Sequence, residues 1–232
     1  MNYVLITAGG KGSRMIGAKI PKQFIKVDNI PLIMYTLDKF VSSKFIDGVV
    51  ISCLPEYIDF LEECIEKRKY GKPISVIQGG LTGQESIYNG LCELRQIASP
   101  NDLILIHDAV RPFIDDNLIK NNIDIAEQNG NCISCSPCFE TIVVCDNGVI
   151  EESLCRDKCM IARAPQTFKL RDLVLLHERA RKENNLSFVD SSSLFAYYGY
   201  KLYYCYCDNN NIKITTNDDL SYFEFLIDKK NK

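Results

Sequence analysis

Tyr3-Val4-Leu5-Ile6-Thr7-Ala8-Gly9-Gly10-Lys11-Gly12-Ser13-Arg14-Met15 begins as a nearly unbroken apolar run and ends in three glycines and two basic side chains. A strand covered on both faces of a mostly parallel sheet reads this way, because neither face needs polar residues. Similar runs recur at Gly48-Val49-Val50-Ile51-Ser52-Cys53, Ile74-Ser75-Val76-Ile77 and Leu103-Ile104-Leu105-Ile106. Helical patterns fall between and after them: Leu32 to Val41, Pro55 to Lys67, Ser86 to Ile97 and Asp116 to Asn129. The alternation predicts an α/β fold with a mostly parallel mixed sheet, helices on both faces, and ligands at the carboxyl ends of the strands.

The rhythm breaks after Asn129. Thr141-Ile142-Val143-Val144-Cys145 and Val149-Ile150-Glu151-Glu152 flank Asp146-Asn147-Gly148, a hairpin signal because Asn and Gly both tolerate positive φ. An inserted β-hairpin over residues 139–160 is expected to project as an arm. Two-stranded ribbons are marginal alone, so the arm is expected to pack on a second subunit and make a homodimer.

The chain has 232 residues, 46% of them apolar, which suits one compact domain over residues 1–232. With 27 Lys and Arg against 30 Asp and Glu, no basic field invites nucleic acid or an anionic membrane. No uncharged apolar stretch approaches the ~18 residues of a membrane span. Met1-Asn2-Tyr3 enters the first strand without a basic leader, so a cytoplasmic protein is expected. The eleven cysteines are odd in number, which argues against a fully paired disulfide framework. Cys132, Cys135 and Cys138 have the spacing of a metal site, with Cys155 and Cys159 further on. However, Cys132 and Cys135 fall on an expected strand, where residues three apart face opposite ways.

The glycine loop at Gly9, Gly10 and Gly12 lets a backbone approach phosphate closely, and Arg14 adds a fork of donors. It lacks the third glycine of a dinucleotide loop and the Lys-Ser/Thr of a Walker loop; a plain strand-to-helix turn is the simpler alternative. Pro21-Lys22-Gln23-Phe24 weighs against that alternative, since a second cation beside the loop implies a polyanionic ligand.

These residues, with Gly79-Gly80 and Ser86, His107-Asp108-Ala109-Val110-Arg111-Pro112-Phe113, Ala164-Pro165-Gln166-Thr167-Phe168 and Asn211-Ile212-Lys213-Ile214-Thr215-Thr216, run in order through nearly the whole chain. In them the sequence resembles the cytidylyltransferase family that includes the 2-C-methyl-D-erythritol 4-phosphate and ribitol-5-phosphate enzymes. The resemblance implies a single Rossmann-like nucleotidyltransferase domain with an inserted β-hairpin dimerisation arm. It implies transfer of CMP from CTP to a polyol phosphate, with magnesium neutralising phosphate charge. Arg14, Lys22 and Lys213 are implied as the catalytic cations, and Ala8, Gly9, Gly10, Gly12, Gly80 and Ser86 as the nucleotide site. Asp108, Arg111, Thr141, Arg156 and Asp190 are implied at the acceptor, with Arg156 reaching it from the neighbouring subunit and Asp108 also the metal candidate; the simpler alternative for Asp108 is a carboxylate that caps the loop and pairs with Arg111. His107 is expected to be a packed strand-end residue. Asp190-Ser191-Ser192-Ser193 also reads as an N-capped helix start.

One departure stands out: family members carry an arginine between the second glycine and the serine, where this chain has Gly83-Gln84. Gln84 is expected to offer amide donors in its place. The acceptor implied first is D-ribitol 5-phosphate or a related alditol phosphate, as in teichoic acid or capsule synthesis; 2-C-methyl-D-erythritol 4-phosphate, the isoprenoid precursor, is the alternative. Two readings from other classes stand beside these, a cysteine-rich metal-binding or redox protein and a nicotinamide oxidoreductase.

Overall fold

A computed structural model describes residues 1–10 and 20–230. In chain order the first half holds β1 (Asn2–Ala8), β2 (Lys26–Val27), β3 (Ile30–Pro31), α1 (Leu32–Ser42), β4 (Gly48–Cys53), α2 (Ile58–Arg68), β5 (Ile74–Gln78), α3 (Gly83–Ile97) and β6 (Leu103–Asp108). The second half holds α4 (Asp116–Asn129), β7 (Asn131–Pro137), β8 (Val143–Asp146), β9 (Val149–Ser153), β10 (Met160–Lys169), α5 (Leu170–Lys182), α6 (Ser191–Tyr197), β11 (Tyr204–Tyr206) and α7 (Asn217–Lys230).

Among the described residues, seven strands form one sheet in the order β11-β7-β10-β6-β1-β4-β5. β1 pairs parallel with β4 on one side and β6 on the other, and only β10 runs against its neighbours, β6 and β7. The chain winds outward from β1 through β4 to β5 and then crosses back to β6, so the sheet changes winding direction between β1 and β6. That junction is where ligands bind in open α/β sheets.

Strand alternation sends Val4 and Ile6 to one core with Ile33, Leu37 and Ile119, and Tyr3 and Leu5 to the other with Leu91 and Leu173. Helices α1, α2 and α4 cover the first face and α3, α5 and α6 the second, as expected of a sheet with apolar strands. Contact with α3 is close enough that a Cβ on Gly90 would lie 2.3 Å from Leu5 Cδ1. The helix therefore needs glycine there, at a cost in propensity that packing offsets.

Three boundaries differ from expectation, each for a local reason. The segment after Pro55 begins as a 3₁₀ turn, Pro55–Tyr57, before α2. Helix α3 starts three residues before Ser86, because the Thr82 hydroxyl accepts from Glu85 N at 3.1 Å and caps it earlier. The first hairpin strand begins at Val143 rather than Thr141.

In the hairpin, Asn147 and Gly148 have φ of 47° and 82°, the two positive values that a two-residue turn between twisted strands requires. Both strands are exposed along their length, and Val143, Val144, Val149 and Ile150 are bare apolar side chains. Cys132 and Cys135 lie on β7 and enter opposite cores, so their spacing reflects a strand rather than a ligand pair. Among the described residues, no helix is long and apolar enough to cross a membrane.

Candidate active site

The carboxyl ends of β1, β4, β5 and β6 open into a cleft of about 1000 Å³. One wall is built from glycine. A Cβ on Gly9 would stand 2.9 Å from Ser86 Oγ, and one on Gly79 3.1 Å from the Cys53 carbonyl; the backbones approach this closely only because those side chains are missing. The Ser86 hydroxyl donates to Thr82 O at 2.9 Å and accepts from Gly80 N at 3.0 Å, tying the first turn of α3 to the Gly79-Gly80 corner.

Gln23 is buried behind this wall, and its amide donates to Ala8 O at 2.7 Å and Gly10 O at 2.9 Å. It fixes the start of the glycine loop by gripping one carbonyl at the end of β1 and one two residues on. Its neighbour Lys22, 9% exposed, lines the cleft from the 3₁₀ turn Lys22–Phe24. In the sequence Gln23 stands out only as part of a motif, since a side chain that acts on backbone oxygens leaves no pattern of its own.

The opposite wall is cationic. At the end of β6, Asp108 accepts from Arg111 Nε at 2.7 Å and from Lys213 Nζ at 2.6 Å, one cation on each oxygen. Burial opposes ionisation of Asp108, but Lys213 and Arg111 outweigh it and hold the carboxyl well below the usual range. Arg111 Nη1 also donates to Asn211 O at 2.9 Å, and Ile214 N donates to Val110 O at 2.9 Å. These bonds dock the segment carrying Lys213 onto the turn after β6. His107 is buried beneath, with Nε2 3.1 Å from Arg111 O and its ring edge-on to Phe40; burial pushes its pKa down to about 4. It is a packed, neutral strand-end residue, as expected.

Asp190 lines the far end of the cleft and also caps α6, accepting from Ser193 N at 2.8 Å and Gln166 Nε2 at 2.8 Å. The N-cap reading of Asp190 is thus met, at a position that also borders the cleft.

Four expectations need correction or fall outside view. Thr141 does not line this chain's cleft but is exposed on the arm; Arg156 is exposed there too, on the arm where it was expected, and its Nη1 donates to Phe139 O at 3.4 Å. Any acceptor contact through them belongs to a second copy. Gln84 is buried away from the cleft beside His177, its amide 3.4 Å from Asn185 O, because its position on the first turn of α3 faces α5. The cleft-facing neighbour is Gly83, where a Cβ would meet nothing within 4 Å. Asp108 does not fit as a magnesium ligand in this arrangement, since both of its oxygens are occupied by cations. Gly12 and Arg14 lie outside the described residues.

The 2-C-methyl-D-erythritol 4-phosphate cytidylyltransferase family model matches residues 2–229. The chain belongs to that family. It is 42% identical to a ribitol-5-phosphate cytidylyltransferase of Vibrio parahaemolyticus, over 98% of this chain and 96% of that one. A 2-C-methyl-D-erythritol 4-phosphate cytidylyltransferase of Clostridium acetobutylicum is 36% identical, over 99% and 98%. The crystal structure of 4-diphosphocytidyl-2C-methyl-D-erythritol synthase from Anaerococcus prevotii shares the fold, with a TM-score of 0.83 at 24% identity over 98% of each chain. As a family member the chain is a nucleotidyltransferase, and a glycine wall facing a cationic wall is an arrangement suited to that chemistry.

Proposed function

We propose that this cytidylyltransferase transfers CMP from CTP to D-ribitol 5-phosphate or a related alditol phosphate, releasing pyrophosphate. The observation that carries the reading is the convergence of Lys22, Arg111 and Lys213 on one cleft whose other wall is glycine backbone. The 42% identity to the V. parahaemolyticus ribitol-5-phosphate enzyme supports the acceptor.

In the proposed reaction, an oxygen of the acceptor phosphate forms a bond to the α-phosphorus of CTP. The bond from that phosphorus to the bridging oxygen breaks, and its electron pair leaves on pyrophosphate. No base is needed, because a phosphate monoester is already largely ionised near neutral pH. The barrier the protein can lower is repulsion between two anions, through positioning and fixed positive charge. Lys22 and Lys213, joined by Arg14 from outside the described residues, would hold the triphosphate and the charge that builds in line. The open backbone at Gly9, Gly79 and Gly80 would admit the cytosine edge. Magnesium would supply further neutralisation of the triphosphate charge.

Two copies would complete the site. The exposed apolar residues of the hairpin would be covered in a homodimer, and Arg156 and Thr141 would then reach the neighbour's acceptor phosphate. The protein would work in the cytoplasm, where CTP is made. A second reading, transfer to 2-C-methyl-D-erythritol 4-phosphate, is favoured by the 36% identity to the C. acetobutylicum enzyme.

Pyrophosphate release from CTP with each acceptor in turn separates the two readings. The expected result is turnover at least about tenfold faster per unit concentration with an alditol phosphate. Release with the methylerythritol compound alone would replace the first reading by the second.

A further inference from the structure

Arg163 on β10 lines the cleft but belongs to none of the motifs quoted above. Its Nε donates to Ser136 Oγ at 2.7 Å, Nη1 to Asn211 O at 3.3 Å and Nη2 to Asn209 Oδ1 at 3.3 Å. Arg111 Nη1 binds the same Asn211 carbonyl, so two guanidinium groups meet at one oxygen. Burial and then the charge of Arg111 lower the pKa of Arg163 from its usual value. Arg111 is buried and Arg163 half-buried, and like charges held this close with little water between them cost free energy unless an anion joins them.

Among the described residues no carboxylate joins the two guanidinium groups. Asp108 is already shared by Arg111 and Lys213, and Arg163 forms no ion pair among the described residues. The stretches outside them, 11–19 and 231–232, contain no Asp or Glu. Three of the five guanidinium N–H groups of Arg163 are used, which leaves two for a ligand. The sheet order decides which ligand. The glycine wall, proposed above for the nucleotide, stands over β1, β4 and β5, whereas Arg163 stands on β10, beyond β6, on the side left for the acceptor.

We propose that Arg163 binds the acceptor's phosphate, pairing with Arg111 as a two-guanidinium seat for a phosphate monoester. This rests on the alditol phosphate reading for the identity of the acceptor, but not for the class of anion. The seat discriminates against unphosphorylated polyols and presents the attacking oxygen from the β10 side.

The test uses the full-length protein saturated with a CTP analogue whose α–β bridge resists cleavage. Calorimetry then measures binding of ribitol 5-phosphate and, in a parallel arm, inorganic phosphate. Arg163→Gln, which keeps a donor for Ser136, is expected to weaken both by about tenfold or more. Its affinity for the CTP analogue should stay within about twofold, and Arg163→Lys should recover part of the loss. Unchanged phosphate affinity, or equal losses of nucleotide and phosphate affinity, would overturn the proposal and leave Arg163 as a tether for the Asn209–Asn211 loop. If wild type binds inorganic phosphate but no ribitol 5-phosphate, the acceptor reading fails while the phosphate arm still decides the role of Arg163.

Discussion

Lys213 Nζ lies 2.6 Å from Oδ1 of Asp108, across 105 positions of chain, while Arg111 takes the other carboxylate oxygen. Asp108 therefore orients a cation that would otherwise swing in solvent. Lys213→Ala is expected to cut kcat by about a hundredfold or more with the fold intact. Arg111 still holds Asp108, and the Ile214 to Val110 backbone bond still docks the segment. Asp108→Asn should behave differently, because it leaves partly buried cations uncompensated. A loss of about 2–3 kcal/mol in urea unfolding is expected, discounted for the partial exposure of Lys213.

Gln23 holds the carbonyls of Ala8 and Gly10 through one amide. Gln23→Leu keeps the bulk and removes both bonds. The expected result is a KM for CTP raised about tenfold, from a loop no longer held in its binding shape. The KM for the acceptor should change far less, which steady-state kinetics with each substrate varied will read.

Gly83 faces the cleft with open space where a side chain would stand. Gly83→Arg should be tolerated at this first helical position and place a new cation beside the glycine wall. CTP affinity is expected to rise severalfold, and more so at low ionic strength. An unchanged Kd across salt concentrations would place the added charge away from the triphosphate.

His177 is buried with neither ring nitrogen partnered among the described residues, and burial pushes its pKa down to about 4. In the unfolded chain it titrates near 6.5. Between those values the unfolded state binds more protons, so stability falls as pH drops from about 6.5 toward 4 and is flat above. His107, also lowered to about 4, acts with the same sign. Asp108 acts in a separate window, its contribution being lost only below about pH 4. His177→Leu should flatten the slope of unfolding free energy between pH 6.5 and 4, measured by urea titration at each pH; an identical slope would mean that His177 is hydrated in the folded protein.

The sheet was legible where strands are buried on both faces, as at Tyr3–Ala8 and Leu103–Ile106, because burial demands unbroken apolar runs. Asn147-Gly148 disclosed the hairpin through its backbone alone, and Asp115 and Gly130 bracket the helix expected over Asp116–Asn129 by capping it. Strand β10 was hidden, since its cleft end carries Arg163 and Pro165 in place of alternating apolar residues. In the site, positions that expose backbone to a ligand were visible as glycines. Gln23 and Arg163 were not identified as site residues, because each acts by reaching atoms distant in sequence. Gln84 was misplaced because a helix start moved by three residues turns its side chain toward α5.

The most direct test of the converging cations is a crystal structure with CTP bound. Lys22 and Lys213 are expected to place Nζ within hydrogen-bonding distance of triphosphate oxygens, about 3 Å, with the base against Gly9 and Gly80. A complex in which CTP lies elsewhere, with both lysines turned to solvent, would contradict the site and the chemistry built on it.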